Sequence, residues 1–228
     1  MKQPHVTLSP ADHEKISAAV TRAELQSAGE IVTILADRSD GYTDIALSWS
    51  AAVALVALGV MASFPAPFMG TYDALLADWG HEWTPRAIIS LAAAIATLKF
   101  AGMALIQLWP PLKFALIPGP VKSARVHERA VRAFRIGAQG RTTGRTGVLI
   151  YLSMREHRAE IVADEAIATK VDPQVWGDAM QAMLAHVREG RIADGLCAAV
   201  EQVGDIVRPH FPRADDEINE LPNRLIEV

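Results

Sequence analysis

The sequence predicts an α/β fold: a small mixed sheet flanked by helices, split by an inserted two-helix transmembrane hairpin. Three observations carry this reading. Two long apolar stretches, which together contain a single charge, lie in the first half of the chain. Runs rich in β-branched residues lie on both sides of that region, one before it and two after. Amphipathic helical patterns flank those runs. A lone strand with one amphipathic helix is not stable by itself in water. The pieces before and after the apolar region are therefore expected to fold together. The 228 residues are 50% hydrophobic, which excludes a disordered polar chain. Cys197 is the single cysteine, which excludes an intramolecular disulfide and any multi-cysteine metal site. The formal net charge of −4 argues against a dedicated nucleic-acid binder.

Residues 1–44 are expected to be the first part of the sheet domain. Ser9-Pro10 followed by Asp12 is a helix start: a cap, proline at N1 and an acid at N3. Ile16, Ala19, Val20 and Ala23 then recur at helical spacing. Gly29 follows, and residues 30–36 (EIVTILA) have strand composition. The cluster Asp37-Arg38-Ser39-Asp40-Gly41 reads as a turn.

Residues 45–109 are expected to be the hairpin. Its spans are about 45–64 (IALSWSAAVALVALGVMASF), with no charge, and 87–109, where Lys99 is the only charge. Each is long enough to cross about 30 Å of hydrocarbon as a helix. Neither is expected to be a signal peptide, and neither shows the polar stripe of a soluble core helix. Pro65 and Pro67 are read as ending the first span, Pro85 as preceding the second, and Pro110 and Pro111 as following it, with 65–86 as the loop. Trp49, Trp79, Trp83 and Trp109 lie near the span ends, as in an interfacial aromatic belt. Lys99 reads as a lysine snorkelling to the headgroups; the alternative is an intramembrane charge in an ion-conducting element built from associated hairpins. The loop carries Arg86 against Asp73, Asp78 and Glu82, whereas residues 110–145 carry eight basic residues against Glu128 alone. The positive-inside rule then places both termini on the cytoplasmic side of an inner membrane.

Residues 110–210 are expected to complete the domain, with 211–228 as a tail. A basic helix spans 121–138 with Ala124, Val131, Phe134 and Ala138 on one face. Lys122, Arg125, Arg129 and Arg132 on that helix are candidates for contact with anionic lipid. It lacks the interleaved aromatics that would favour nucleic acid. The loop GRTTGRTG (140–147) has glycines but neither the lysine nor the following helix of a phosphate loop. VLIYLS (148–153) reads as a central strand, Met154–His157 as a turn and RAEIVA (158–163) as its hairpin partner. Helices are expected at 172–187, with Trp176, Ala179, Met183 and Val187 inward, and at 191–207, with Ile192, Leu196, Ala199, Val203 and Ile206 inward. The first strand, the basic helix and the second strand then form a β-α-β unit with a parallel pair.

Particular stretches resemble the TPM domain family. They are Ser27-Ala28-Gly29-Glu30-Ile31-Val32, Thr146-Gly147-Val148-Leu149-Ile150-Tyr151-Leu152-Ser153 and Arg158-Ala159-Glu160-Ile161-Val162-Ala163-Asp164, with Ile167, Trp176 and the last two helices. The similarity covers about 1–44 and 121–210. It is closest to a bacterial subgroup whose domain is split by a membrane hairpin and ends in a motif like Asn219-Glu220-Leu221-Pro222-Asn223-Arg224-Leu225. The resemblance implies an α/β fold and, in some members, weak phosphatase activity or a divalent-cation site. Asp164 stands at the family's aspartate, while Ala166 stands where many members have glycine.

Strand polarity suggests where chemistry gathers. Asp164 and Glu165, at the end of the third strand, are expected near the start of the first two strands, with Glu30, Thr143 and Thr146. Asp164, Glu165 and Glu30 are thus candidate oxygen ligands for Ca²⁺ or Mg²⁺, and a bound cation activates water for phosphate hydrolysis. The competing expectation is that Asp164 caps the next helix and Glu165 is solvated. The opposite end collects Asp37, Asp40, Arg155 and His157, read as a solvated turn. The seven histidines show no metal-ligand spacing, and Cys197 sits on an apolar helical face. The expected function is that of a membrane-anchored module acting through contacts with lipid and other membrane proteins, with a metal-dependent phosphatase as the alternative.

Overall fold

The computed structural model describes residues 8–76, 82–139, 146–213 and 221–228. The chain divides into two compact units, Met1–Asp40 with Gly119–Val228, and Gly41–Pro118.

The first unit is a three-layer α/β/α domain. Helix α1 (Pro10–Glu24) starts at the expected capping box: the Ser9 hydroxyl accepts the Asp12 N–H, and the Asp12 carboxylate accepts the Ser9 N–H. Strand β1 (Glu30–Ala36) pairs in parallel with β2 (Gly147–Ser153), Glu30 opposite Gly147 and Ala36 opposite Ser153. Strand β3 (Arg158–Ala163) pairs antiparallel with β2, with Ser153 opposite Arg158. The turn between them contains His157 at φ 51°, a left-handed position that closes the hairpin. The chain end adds β4 (Ile226–Glu227), parallel to β1, giving the order β3-β2-β1-β4.

Both central strands are buried along their whole length, which explains their unbroken apolar runs. On one face, Ile31, Leu35, Val148, Ile150 and Leu152 meet α1, α8 (Pro173–Arg188) and α9 (Ile192–Val207) through Ile16, Val20, Met183, Leu196 and Val203. On the other, Val32, Ile34, Leu149 and Tyr151 meet α6 (Gly119–Gly137). The inward stripe of α6 is Val126, Ala130 and Phe134. This corrects the expected face: Phe134 and Ala138 are buried, but Ala124 is exposed and Val131 lies at the margin. An i, i+4, i+8 row follows one side of the helix, whereas Ala124 and Val131 sit off it.

The second unit holds α2 (Thr43–Ser63) and α4 (Pro85–Ile106), which pack on each other and are long and apolar enough to cross a membrane. The Gln107 side-chain amide, following α4, donates to the Ala46 carbonyl (3.0 Å) and to Ser50 Oγ (3.4 Å), tying the two helices together. Two helices were not expected. One is α3 (Pro65–Leu76), inside the span assigned as a loop; the other is α5 (Pro110–Leu116). In both, the prolines open a helix: proline is tolerated in a first turn, where its missing N–H has no intrahelical partner to lose. α5 belongs with the hairpin rather than with the sheet domain. Lys113 donates to the Gly41 carbonyl, the Phe114 ring meets Tyr42 edge-on at 5.7 Å, and the Leu116 carbonyl accepts from Trp49 Nε1. The GRTTGRTG loop up to Arg145, Trp79, and Asn219-Glu220 of the terminal motif lie outside the described residues.

Candidate functional site

Polar side chains gather at both ends of the sheet. At the first end, β1 and β2 begin side by side and β3 finishes, so the backbone brings Glu30, Thr146, Gly147 and Asp164 together as strand polarity requires. Asp164 is buried and its carboxylate accepts the Gly147 N–H at 3.1 Å. It stands at the N-cap position of the one-turn helix α7 (Glu165–Ala168) but makes no side-chain cap bond. Glu165, the first residue of that turn, is exposed. Glu30 is buried and accepts the Leu221 N–H at 3.2 Å, and Thr146 Oγ1 donates to the Ala28 carbonyl at 2.6 Å. Thr143 lies outside the described residues.

A further acid stands here that the pattern reading passed over. Glu24 ends α1, one helical repeat beyond Ile16 and Val20, and is buried with them. Its Oε1 accepts the Ile31 N–H at 3.0 Å, while its Oε2 is buried with no hydrogen-bond partner. Burial pushes its carboxyl up to about 7; the Ile31 N–H works against this and the nearby Glu30 charge adds to it. The 16-20-24 spacing was the signal that could have found it.

Ca²⁺ takes six to eight oxygens and Mg²⁺ six. Here Asp164 and Glu30 each already hold a backbone N–H, and Glu165 is solvent-facing. Among the described residues, no three His, Cys, Asp or Glu side chains come close enough together to hold a metal ion. The described residues by themselves therefore do not supply a shell for a hard cation, and no chemical step follows through one.

The opposite end is more built than a solvated turn. Asp37 is held by Arg155, whose Nε donates to both carboxylate oxygens at 3.1 and 2.9 Å, and Asp40 is paired with Arg125 at 3.3 Å. Beneath them runs a buried polar network. The Ser39 N–H donates to Glu156 Oε1 at 2.9 Å, and Ser39 Oγ lies 3.0 Å from Ser153 Oγ and 3.1 Å from the Tyr151 hydroxyl. Ser153 Oγ in turn donates to the other Glu156 oxygen. Tyr151, Ser153 and Glu156 are all at most 2% exposed. Burial raises the Tyr151 hydroxyl above its ordinary value, against the lowering effects of Ser39 and Arg129. No sequence motif marks this network, because its members come from a turn, a strand and a hairpin loop.

The four basic residues singled out on α6 share one row. Lys122, Arg125, Arg129 and Arg132 are spaced three, four and three, beside the buried row. Arg125 is occupied by Asp40 and by Glu128 (3.8 Å). Arg129 and Arg132 are exposed and pair with no carboxylate among the described residues. With Ser39, Asp40, Arg125 and Glu128 they line an open cleft of about 180 Å³.

A model of the TPM domain matches residues 120–206. No curated protein matches the chain. Among solved structures, the chain is similar to the NMR structure of BA42 protein from the psychrophilic bacterium Bizionia argentinensis. The TM-score is 0.57 at 18% identity, covering 100% of both chains. That likeness shows the fold. The stretch matched by the TPM model runs from the basic helix α6, through the β2–β3 hairpin and into α9.

Proposed function

We propose that this chain is a membrane-anchored TPM module that works through contacts with lipid and with other membrane proteins in the upkeep of membrane complexes. It is not assigned to nucleic acid. The observation that carries this is the outward face of the hairpin. In α2 only Ser50 and Met61 are buried, and in α4 no residue is. Leu55, Val56, Leu98 and Leu105 are all exposed. A core helix of a soluble domain would bury such residues, whereas lipid accepts them. The excess of basic residues after the second span supports a cytoplasmic-membrane location with the sheet domain on the cytoplasmic side. The Lys122–Arg132 row supports attachment to anionic headgroups.

An alkaline wash of membranes from cells making the chain tests the anchor. The chain should stay in the pellet, and its release would overturn the anchoring. Protease added outside intact cells should leave the sheet domain whole; its digestion would overturn the sidedness.

A divalent-metal-dependent phosphatase at the acidic end is the second reading, favoured by the buried, unpartnered Glu24 oxygen next to Glu30. Calorimetry with Mg²⁺ or Ca²⁺ on the full chain decides it. Heat abolished by Asp164→Ala supports it; no heat, or heat unchanged by the substitution, ends it.

A further inference from the structure

We propose that the cleft between α6 and the end of β1 is a binding site for one phosphate group, gripped by Arg129 and Arg132. This rests on the membrane-module reading for its supply of lipid phosphate, and it goes beyond diffuse attraction to a surface.

Three observations converge on it. The first is charge accounting within the row. Arg125 is already neutralised by Asp40 at 3.3 Å and Glu128 at 3.8 Å. The next two arginines are left with their guanidinium donors unused by any carboxylate among the described residues. Two arginines three residues apart lie side by side on a helix and can face one ligand together. A planar guanidinium matches the oxygens of a phosphate two at a time, which a lysine does not.

The second is shape. Arg129 and Arg132, together with the Ser39-Asp40 turn, line a concave space of about 180 Å³ and do not stand on a convex helix face.

The third is rigidity. The turn that lines the cleft is fixed by buried partners: Glu156 accepts the Ser39 N–H, and Ser153 and Tyr151 hold the Ser39 hydroxyl. A turn held in place keeps the shape of that side of the cleft, so little of it has to be ordered when a ligand enters. Asp40 and Glu128, which also line the cleft, are paired with Arg125 and leave Arg129 and Arg132 to the ligand.

The phosphate can come from a lipid headgroup or from solution, and two arms of one experiment separate them. In the first, inorganic phosphate is titrated into the full chain in a neutral detergent and heat is read by calorimetry. In the second, the full chain is held in phosphatidylcholine bilayers with and without phosphatidic acid, and hydrogen-exchange protection of residues 119–139 is compared. Each arm includes Arg129→Gln/Arg132→Gln and a control of equal charge change outside the row, Arg135→Gln/Arg188→Gln. Both pairs are at least partly exposed, so folding is expected to survive.

The expected result is binding, or added protection, that falls about tenfold or more in the Arg129/Arg132 pair and little in the control. Heat in the first arm identifies soluble phosphate as a ligand; protection in the second arm alone identifies the headgroup. Equal losses in both pairs would overturn the cleft while leaving surface attachment standing. No heat and no phosphatidic-acid-dependent protection would likewise overturn it, and neither outcome bears on whether the hairpin spans the bilayer.

Discussion

Glu24 shows how one side chain makes stability depend on pH. Its carboxyl titrates near 7 in the folded chain against an ordinary 4.5. Below about pH 4.5 both folded and unfolded chains hold the proton, and the group costs nothing. As pH rises the unfolded chain releases its proton first, so stability falls until the folded pKa is passed. The full penalty, about 3 kcal/mol at most, applies above pH 7. Glu24→Gln is neutral throughout and its amide oxygen can still accept the Ile31 N–H. Denaturant unfolding of the variant should lose less stability than wild type between about pH 5 and about pH 8, with the variant the more stable at the alkaline end. Parallel curves would show that the buried carboxyl is not the source. Lys99 is a contrasting case. It lies seven residues before the end of α4 at Ile106, about 10 Å along the axis, on a helix long and apolar enough to cross a membrane. The candidate metal residues illustrate a limit of the same scale. Sequence placed Glu30 and Asp164 at one sheet end, but not the backbone N–H groups of Leu221 and Gly147 that occupy them.

Among the elements, the α8–α9 pair depends on a close approach at Gly195. A Cβ there would lie 2.7 Å from the Met183 carbonyl oxygen and 2.9 Å from Val187 Cγ2, so the backbone itself would have to shift. Gly195→Ala should lower unfolding free energy by roughly 1–3 kcal/mol. Gly177→Ala, on α8 with open space around its Cβ, should be neutral or stabilising by up to about 1 kcal/mol. Chemical denaturation of the two variants checks the pair, and equal effects would mean that the helix contact is looser than its geometry. Helix existence was legible here from apolar spacing: 172–187 and 191–207 were expected against the observed Pro173–Arg188 and Ile192–Val207. The α6 face was misread because alanines on a basic helix do not say which side is covered; the sheet surface does. Prolines misled at α3 and α5 because one residue type both stops a helix and starts one.

At the scale of the whole molecule, the last eight residues close the sheet. Leu221 and Leu225 are buried, the Val228 N–H donates to the Leu35 carbonyl, the Asp37 N–H donates to the Val228 carbonyl, and Glu227 accepts the Leu8 N–H. A tail that composition marks only as Pro-rich and acidic thus covers the edge of β1. Removing residues 221–228 should cost on the order of 2–5 kcal/mol from the two leucines. It should also leave an unpaired β1 edge that promotes association between copies. A lower denaturation midpoint together with concentration-dependent sedimentation is expected; a truncated chain that matches wild type in both would show the tail to be dispensable.

The sequence by itself determined the local and periodic features: the capping box of α1, three strands and their polarity, two long apolar helices, and a basic row on α6. Each is written within a few turns of chain, where side-chain spacing and backbone geometry act directly. The tertiary structure alone decided which face of α6 is covered, that the chain end becomes β4, and that Ser39, Tyr151, Ser153 and Glu156 form one network beneath the arginine cleft. The first depends on the sheet surface that α6 meets, and the other two on contacts between residues over a hundred positions apart. Such contacts leave no periodic trace in the sequence, because what joins them is the parallel register of β1 with β2 and with β4 rather than any spacing along the chain.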